Sequence, residues 1–421
     1  MYKHTNLLSL FLLFSLLSIS ALTGHAKKPN ILFIFTDDQS HRSVGCYPES
    51  PEWVKTPHID ALAQDGIRFA HCYMSSWCMA SRATLLTGHQ SYGINSMRME
   101  GEYPGSVYDS KDCPFWPAIF RKYGYQTAQI GKWHTGTDNG FGRDWDFQKV
   151  WNRPAFPKNS GNYFKEQLIQ TNGKKAVMTQ GYSSDNYTQW AEEYIRGGHG
   201  KDDDKPFYLW LCYGAVHGPF TPAKRHLERY PNVKVNVPKD IYPPRKGKPE
   251  YSRNKEQWIP GPKDIPMLKS GKFSGRTVSG KFIHGTDIHS LERQYHQGVL
   301  AIDEGVGKLI KALKETGQYE NTLIVYGADQ GIAWGQKGFQ MKLAPYDGTI
   351  RGPLIFSMPK KFPSGKVCPK PVGGADLVPT FFKTAGLDLP WKMHGRDLTP
   401  LLRDPERRDW KSPLLLAHTG M

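Results

Sequence analysis

Apolar runs alternate with amphipathic segments along this chain, and the alternation predicts strands separated by helices. The runs at Asn30–Thr36 and Phe207–Cys212 are largely apolar, which is typical of strands buried on both faces of a sheet. Residues 290–316 carry apolar side chains at helical spacing and predict a long amphipathic helix. Because strands and helices alternate over most of the length, we predict an α/β fold with a large central, mostly parallel sheet flanked by helices.

The same patterns predict shorter elements between these landmarks. Further helices are predicted at 56–66, 81–86, 116–123, 185–196 and 376–385, and further strands at 67–74, 125–130, 322–326 and 353–358. Residues 231–285 differ, because they combine many prolines and glycines with twelve Lys/Arg against four Asp/Glu. We predict a long, mostly irregular basic insertion there, which either guides an anionic substrate or is a solvated surface excursion.

The composition indicates a packed core, and the net charge favours an acidic partner. The chain has 421 residues with 38% hydrophobic and 13% aromatic content, which is typical of a packed globule and excludes a disordered chain. A formal net charge of +16 favours an anionic polymer, a nucleic acid or an anionic membrane as partner. A generally basic surface without a specific partner is the alternative.

The first 26 residues have the composition of a secretory signal peptide. Lys3 and His4 precede an apolar run at 7–22, and small residues follow it before Lys27. The run is short for a membrane span and no other stretch is long enough, so no stable membrane insertion is expected. We predict a cleaved signal at 1–26 and a periplasmic or secreted domain at 27–421, with an uncleaved anchor as the alternative.

The six cysteines show no CxxC or zinc-binding spacing, and the sequence does not determine their pairing. Cys78 has a distinctive context, because it comes just before the predicted helix at 81–86, which Gly88 ends. A helix N-terminus favours an anion or a thiolate, and Arg82 lies one turn along the same face. These residues alone fit both a reactive cysteine and a buried cysteine at a strand–helix corner.

Polar side chains recur where the predicted strands end. Ligands bind at the carboxyl ends of strands in such sheets, so these side chains are expected to meet there. The oxygen donors suited to a hard divalent cation are Asp37, Asp38, Asp329 and Gln330. The groups suited to bind and protonate an anion are Arg82, Lys132, His134, His217 and Lys342. Together with a helix N-terminus, they predict a site for a phosphate- or sulfate-like group.

A set of motifs in fixed order carries a family resemblance. The motifs are PNILFIFTDD at 29–38, CMASR at 78–82 with Gly88, GKWH at 131–134, His217, GADQG at 327–331, Lys342, YDGTIRGPL at 346–354, and DLVPTFF at 376–382 with Ala385 and Gly386. Over residues 28–402 the sequence resembles the type I, formylglycine-dependent sulfatases of the alkaline-phosphatase-like superfamily. The resemblance implies the alkaline-phosphatase-like fold. It also implies a small C-terminal antiparallel subdomain, which we expect to be largely absent from this chain.

The resemblance implies how the nucleophile and the metal are supplied. Cys78 matches the cysteine that a formylglycine-generating maturase converts to an aldehyde. One hydroxyl of the aldehyde hydrate attacks sulfur, and the other then loses its proton and expels sulfate, a route that an ordinary serine lacks. The residues that match the ligands of one calcium ion are Asp37, Asp38, Asp329 and Gln330.

The resemblance also implies roles for the cationic residues. Arg82 and Lys132 would hold the hydrate and the sulfate, and His134 would accept the hydrate proton in the release step. His217 and Lys342 would bind sulfate and protonate the leaving alcohol.

Two positions depart from the family pattern. Ala80 stands two residues after the cysteine, where proline is usual, and this change bears on which maturase recognises the segment. Gln330 stands where asparagine or histidine is commoner, and its longer side chain shifts the ligand geometry.

We therefore predict an exported sulfatase that hydrolyses O-sulfate esters on sulfated polysaccharides or oligosaccharides, with no nucleic-acid partner. Trp77, Trp133 and Trp334 neighbour site residues in the sequence and could stack on sugar faces. One alternative is a phosphodiesterase or phosphonate monoester hydrolase of the same superfamily. Another is a catalytically silent binder of anionic glycans, if Cys78 stays a thiol.

Overall fold

The computed structural model of the chain describes residues 27–94, 114–271, 284–342, 344–416 and 418. The predicted signal peptide at 1–26 lies outside the described residues. Within those ranges, no helix combines the length and the apolar character needed to span a bilayer. The described cysteines are free thiols, namely Cys46, Cys72, Cys78, Cys212 and Cys368.

Strands and helices alternate through the described ranges. The strands are β1 Asn30–Thr36, β2 Ile67–Phe69, β3 Cys72–Tyr73, β4 Gln126–Trp133, β5 Phe147–Asn152, β6 Gln167–Thr171, β7 Val177–Thr179, β8 Phe207–Cys212, β9 Trp258–Pro260, β10 Pro266–Leu268, β11 Thr322–Ala328, β12 Leu354–Ser357, β13 Lys366–Cys368 and β14 Val372–Gly373. The helices are α1 Pro57–Gln64, α2 Cys78–Thr87, α3 Pro117–Lys122, α4 Ser183–Ile195, α5 Glu250–Arg253, α6 Ile288–Glu315, α7 Asp347–Ile350, α8 Gly374–Ala385 and α9 Thr399–Arg403.

One large sheet organises the fold. Its strand order, across the part of the chain that is described, is β13-β2-β12-β11-β1-β8-β4-β5-β6-β7. The central strands from β11 to β5 are parallel, whereas β12 and β6 run against their neighbours on both sides. The predicted α/β fold with a mostly parallel sheet is therefore confirmed, and the two reversals lie outside the parallel centre.

Helices cover both faces of this sheet because its central strands are apolar on both faces. In β1, Leu32 and Ile34 belong to the core layer that contains α1, α4 and α6. Phe33 and Phe35 belong to the opposite layer, which contains α2, α3, α8 and α9. Successive side chains of a strand point to opposite faces, so burial on both faces explains the uninterrupted apolar run.

Three element boundaries differ from the sequence prediction in ways that matter for the site. The predicted strand at 67–74 divides into β2 and β3, because the chain leaves the large sheet after Phe69 and pairs with β14. Helix α2 begins at Cys78 instead of residue 81, since the backbone is extended only as far as Trp77. Strand β4 continues to Trp133, so Lys132 lies within the strand.

The basic segment at 231–285 is partly ordered into regular structure. Its described residues contain α5 and an antiparallel pair of short strands, β9 and β10. Elsewhere the described part of this segment is irregular apart from a 3-10 turn at Pro262–Asp264. The prediction of a mostly irregular segment is therefore correct for these residues, and the small hairpin was not predicted.

Candidate active site

Four neighbouring parallel strands bring their carboxyl ends to one edge of the sheet. Strands β11, β1, β8 and β4 lie side by side, and pairing continues into the segments that follow them. Asp37 N donates to Ala215 O at 3.0 Å, and Asp329 N donates to Thr36 O at 3.1 Å. These bonds fix the segments that carry the candidate metal ligands and His217 at adjacent positions.

Two backbone positions at this edge are tightly constrained by their neighbours. Asp38 has a positive φ of 56°, which is uncommon for a non-glycine residue and concentrates at functional sites. Its NH donates to Asp329 Oδ1 at 2.8 Å, and its carbonyl accepts from Tyr295 OH at 2.9 Å. Gly131, next to Lys132, lies so close to β8 that a Cβ atom would stand 2.1 Å from Cys212 O.

Cys78 is the first residue of helix α2, which points its N-terminus at the same edge. The side chain is buried, and Lys342 Nζ lies 3.7 Å from its sulfur. The helix is fastened to the segment after β11, because Ser81 Oγ donates to Asp329 O at 2.7 Å and Arg82 Nη2 lies 3.7 Å from Asp329 Oδ2. Burial raises the pKa of the Cys78 thiol despite Lys132 and Lys342, so the unmodified side chain is a neutral, poor nucleophile.

The acidic residues form a buried cluster around Cys78. Carboxylate oxygens of Asp37 and Asp329 and the sulfur of Cys78 all lie within 4.8 Å of one another. Asp37 Oδ1, Asp329 Oδ2 and Gln330 Oε1 are buried without a hydrogen-bond partner among the described residues. Buried oxygens are normally paired, and a set of carboxylate and amide oxygens suits a hard divalent cation. The residues therefore fit the calcium ion that the resemblance implies.

Gln330 has a specific orientation in this cluster. Its Nε2 contacts Asp38 Oδ1, while its Oε1 is the atom without a partner. A metal ligand must present the oxygen, so rotation of the amide by half a turn decides whether Gln330 binds a cation.

The three carboxylates differ in how their surroundings shift their pKa values. Burial opposes ionisation of Asp37, but Lys132, His217 and Arg82 outweigh it and hold the pKa well below its ordinary value. Burial raises the pKa of Asp38, with Lys342 opposing. Burial and the neighbouring carboxylates raise the pKa of Asp329 well above its ordinary value. A cation among them would favour the ionised form of all three.

The two lysines contact different carboxylates of the cluster. Lys132 Nζ contacts Asp37 Oδ2, and the Lys132 carbonyl accepts from Arg82 Nη1 at 3.2 Å. Lys342 Nζ donates to Asp38 Oδ1 and Oδ2 at 2.8 and 3.1 Å. Burial opposes the charge of Lys342, but Asp38 and Cys78 raise its pKa well above the ordinary value, so it is a permanent cation.

His217 follows β8 and faces Asp38. Its Nδ1 lies 2.9 Å from Gly218 O, and its Nε2 lies 3.7 Å from Asp38 Oδ2. Donation from Nδ1 to the carbonyl would leave Nε2 directed at the cluster. Burial and the charge of Lys342 hold the pKa of His217 well below its ordinary value, so the ring is neutral in the free protein. A bound anionic ester would favour the protonated ring that a leaving alcohol requires.

His134 joins the site through a residue that the sequence did not single out. It is buried directly after β4, and Arg153 Nη1 lies 2.7 Å from its Nε2. The Arg153 guanidinium packs over the ring of Tyr163, and that ring stacks on His217. Arg153 and Tyr163 lie in or beside the loop after β5, and no motif or periodicity marks them. Their signal is topological, because β5 is the neighbour of β4.

The tryptophans do not offer open faces for sugars. Trp77, Trp133 and Trp334 are at most 3% exposed. Trp133 Nε1 donates to Gly136 O at 2.9 Å, and Trp334 packs against Phe220 and Tyr295. The prediction that they stack on sugar faces is therefore wrong for this structure, because their rings are part of the core.

Comparison with known proteins gives consistent matches. The sulfatase family model matches residues 29–387. An N-acetylglucosamine-6-O-sulfatase from Bacteroides thetaiotaomicron is 27% identical over 427 residues, covering 91% of this chain and 73% of the relative.

Solved structures share the fold. A structure described as a complex with its substrate D-glucosamine-2-N,6-O-disulfate superposes with a TM-score of 0.74 at 26% identity, covering 91% of this chain and 82% of that one. A phosphonate monoester hydrolase from Silicibacter pomeroyi has a TM-score of 0.67 at 23% identity, over 91% and 78% of the two chains, and this likeness concerns the fold alone.

Proposed function

Because this chain belongs to the sulfatase family and is a sulfuric ester hydrolase, we propose that it removes O-linked sulfate from sulfated glycans by way of a formylglycine made from Cys78. The observation that carries the proposal is the position of Cys78. Its sulfur lies 3.7 Å from Lys342 Nζ and within 4.8 Å of oxygens of Asp37 and Asp329. A nucleophile there has a cation and oxygens suited to a metal ion close by, as transfer of an anionic group requires.

The proposed calcium ligands are Asp37, Asp38, Asp329 and Gln330. When bound, the ion supplies positive charge that polarises sulfate oxygens and favours ionisation of a hydroxyl nucleophile. The unpartnered carboxylate oxygens of Asp37 and Asp329 support this assignment, since a cation between them would satisfy both. Gln330 would join as a ligand after rotation of its amide.

The proposed conversion of Cys78 follows from its chemistry. Burial raises the pKa of the thiol and so disfavours the nucleophilic thiolate, which makes a modified side chain the better nucleophile at this position. Conversion by a formylglycine-generating maturase supplies an aldehyde whose hydrate carries the attacking hydroxyl and a second hydroxyl for release. Ala80 is fully buried within α2, so recognition of this segment must precede folding.

The chain's own side chains would bind the ester and move protons. Arg82 and Lys132 lie on the side of Asp37 and Asp329, where they would hold the nucleophile and a sulfate oxygen. His134 would accept a proton from the nucleophile in the release step. Lys342 and His217 converge on Asp38, where they would bind sulfate and protonate the leaving alcohol.

The substrate class rests on the relatives and on charge. The bacterial relative is named for N-acetylglucosamine 6-sulfate, and the structural neighbour is described with a 2-N,6-O-disulfated glucosamine. The net charge of +16 and the basic segment at 231–285 favour an anionic glycan. We propose 6-O-sulfated glucosamine derivatives as the first substrates to assay. We also propose that residues 1–26 direct export and that 27–421 form the catalytic domain.

A matched pair of esters tests this function. The matured enzyme is assayed with the 6-sulfate and the 6-phosphate of the same N-acetylglucosamine, by release of inorganic anion. We expect the sulfate ester to have the higher kcat/KM. A higher value for the phosphate ester, or cleavage of an aryl phosphonate monoester without any sulfate release, would contradict the proposal and favour the phosphonate hydrolase alternative.

A further inference from the structure

Tyr163 occupies an unusual position beside the site. It belongs to the segment between β5 and β6, it is only 3% exposed, and its backbone is fixed. Its carbonyl accepts from Ser183 Oγ at 2.7 Å and from Gln167 Nε2 at 3.2 Å. The side chain therefore has a defined direction, although it leaves an irregular segment.

The Tyr163 ring is enclosed by groups of the site. It lies parallel to the imidazole of His217, with ring centroids 3.9 Å apart and an interplanar angle of 5°. Trp151 contacts it edge-on at 4.9 Å. Lys132 Nζ and Arg153 Cζ lie 5.1 and 4.9 Å from its centroid. A ring held on several sides fixes the plane of the imidazole that it covers.

The Tyr163 hydroxyl is buried and has no hydrogen-bond partner among the described residues. Burial raises the pKa of Tyr163 well above its ordinary value, and the charges that act on it are those of Arg153, Asp37, Cys78 and Lys342. The hydroxyl is therefore a neutral donor within the electrostatic field of the nucleophile. A buried hydroxyl without a partner is costly, so a ligand is the natural partner to seek.

We propose that Tyr163 is a substrate-binding residue whose hydroxyl donates a hydrogen bond to an oxygen of the sulfate ester, and whose ring positions His217 for the leaving alcohol. The inference rests on the proposed function, because it takes the sulfate group to bind beside Cys78 and Lys342, on the side of His217 and Lys132 that the Tyr163 ring covers. It adds a neutral donor to a set of cations. A phenol at this position also gives directional recognition that lysines, as rotatable point charges, do not provide.

The first experiment removes the hydroxyl and keeps the ring. Binding of inorganic sulfate to the calcium-loaded, matured protein is measured by calorimetry, together with kcat/KM for the sulfate ester. Tyr163→Phe should weaken sulfate binding and lower kcat/KM by about 10- to 100-fold, the usual loss for one hydrogen bond to a charged group. Unchanged melting temperature would show that the fold is retained.

Tyr194 provides the matched control. Its hydroxyl is also buried without a partner among the described residues, but its ring packs between Phe147 and Phe207, at the opposite end of strand β8. Tyr194→Phe makes the same chemical change away from the site and should leave sulfate binding and kcat/KM unchanged.

The second experiment removes the ring. Tyr163→Leu should carry the loss seen for Tyr163→Phe and an additional loss that depends on the leaving group. Esters of alkyl alcohols need protonation by His217, so they should slow more than esters of acidic phenols. Tyr163→Phe keeps the ring and should therefore slow alkyl and aryl esters by the same factor. This comparison separates the positioning role of the ring from general damage to the site.

Each outcome decides the inference. Sulfate affinity and kcat/KM of Tyr163→Phe equal to wild type would overturn the role of the hydroxyl, while leaving the proposed function intact. Equal losses for alkyl and aryl esters in Tyr163→Leu would overturn the role of the ring. If the wild-type protein itself neither binds sulfate nor hydrolyses sulfate esters, the proposed function fails and this inference fails with it.

Discussion

Two clusters in this molecule each combine cationic and carboxylate side chains, but they differ in burial and in hydrogen bonding. The site cluster, at the carboxyl ends of the central strands, comprises Arg82, Lys132, Lys342, Asp37, Asp38 and Asp329. It is almost completely buried and contains carboxylate oxygens without partners among the described residues. The surface cluster comprises Arg225, Asp185 and Glu304. It is about two-fifths exposed, and Arg225 makes paired hydrogen bonds of 2.6–2.8 Å to both carboxylates.

The difference teaches how to tell a functional cluster from a structural one. The surface cluster satisfies itself and remains in water, so it needs no further partner and contributes little to stability. The site cluster bears the cost of burying several charges and still leaves atoms unsatisfied. Such an arrangement is expected when a ligand completes it. Changes to the site cluster should therefore act mainly on activity and metal binding, and changes to the surface cluster only weakly on stability.

The largest effect is expected at the centre of the site cluster. Cys78→Ala removes the proposed precursor of the nucleophile and should lower kcat by on the order of 10⁴-fold or more, since groups that form the covalent intermediate carry most of the rate. Alanine fits a helix and deletes only a buried thiol, so the melting temperature should stay close to wild type. Sulfate release and thermal unfolding measure the two quantities. Retained turnover in Cys78→Ala would mean that another group is the nucleophile.

The second effect concerns the metal. Chelation should abolish turnover, and calcium should restore it and stabilise the folded protein by about 2.7 kcal/mol at roughly 100 times its Kd. Asp329→Asn removes the charge of one proposed calcium ligand and should lose the calcium-dependent rise in melting temperature.

Asp185→Asn in the surface cluster is the matched control for this change. It replaces a carboxylate of Arg225 with the same amide and should keep the full calcium response. An equal calcium response in Asp329→Asn and wild type would place the metal elsewhere.

The third prediction concerns a buried carboxyl that lies outside both clusters. Glu292 on α6 is buried outside both clusters, and burial raises its pKa to about 8 in spite of Arg42. The unfolded carboxyl has the lower pKa, so between about pH 4.5 and 8 the folded state binds more protons and stability falls as pH rises. Glu292→Gln should flatten this fall, which we expect to be on the order of 1–3 kcal/mol. Unfolding free energies at pH 5 and 8 test it, and an unchanged slope would contradict the assignment.

The smallest effect belongs to the surface cluster. Arg225→Ala should lower the free energy of unfolding by about 1 kcal/mol or less, because exposed ion pairs are screened and cost side-chain entropy. Its kcat/KM should equal that of wild type. A large loss of activity in Arg225→Ala would contradict the claim that the surface cluster has no part in catalysis.

Much of the fold was predictable from the sequence, because its central strands are buried on both faces. The predicted ends of β1 and β8 match the structure, since both runs are largely apolar over their whole length. Residues 67–74 were less predictable, because pairing partners and not composition divide that stretch into β2 and β3. The start of α2 was also missed, since nothing in the composition of residues 78–80 separates a helix from an extended segment.

The site shows the same division. Charged residues at strand ends were recognisable because each follows an apolar run within a motif. Arg153 and Tyr163 were not recognisable, because they come from or beside an irregular loop whose place next to β4 depends on the strand order. The burial of Trp133 and Trp334 was likewise a tertiary property, since proximity to site residues in sequence does not fix the direction of a ring.

The central claim is that Cys78 becomes the nucleophile of a sulfatase, and mass spectrometry of the peptide that contains Cys78 tests it most directly. Protein from its native host is digested, and the fraction of converted peptide is compared with sulfate release per mole of protein. The account predicts a peptide about 18 Da lighter than the cysteine form, with activity in proportion to its abundance. An unmodified thiol in inactive native protein would favour a silent glycan binder, and an unmodified thiol in fully active protein would contradict the account.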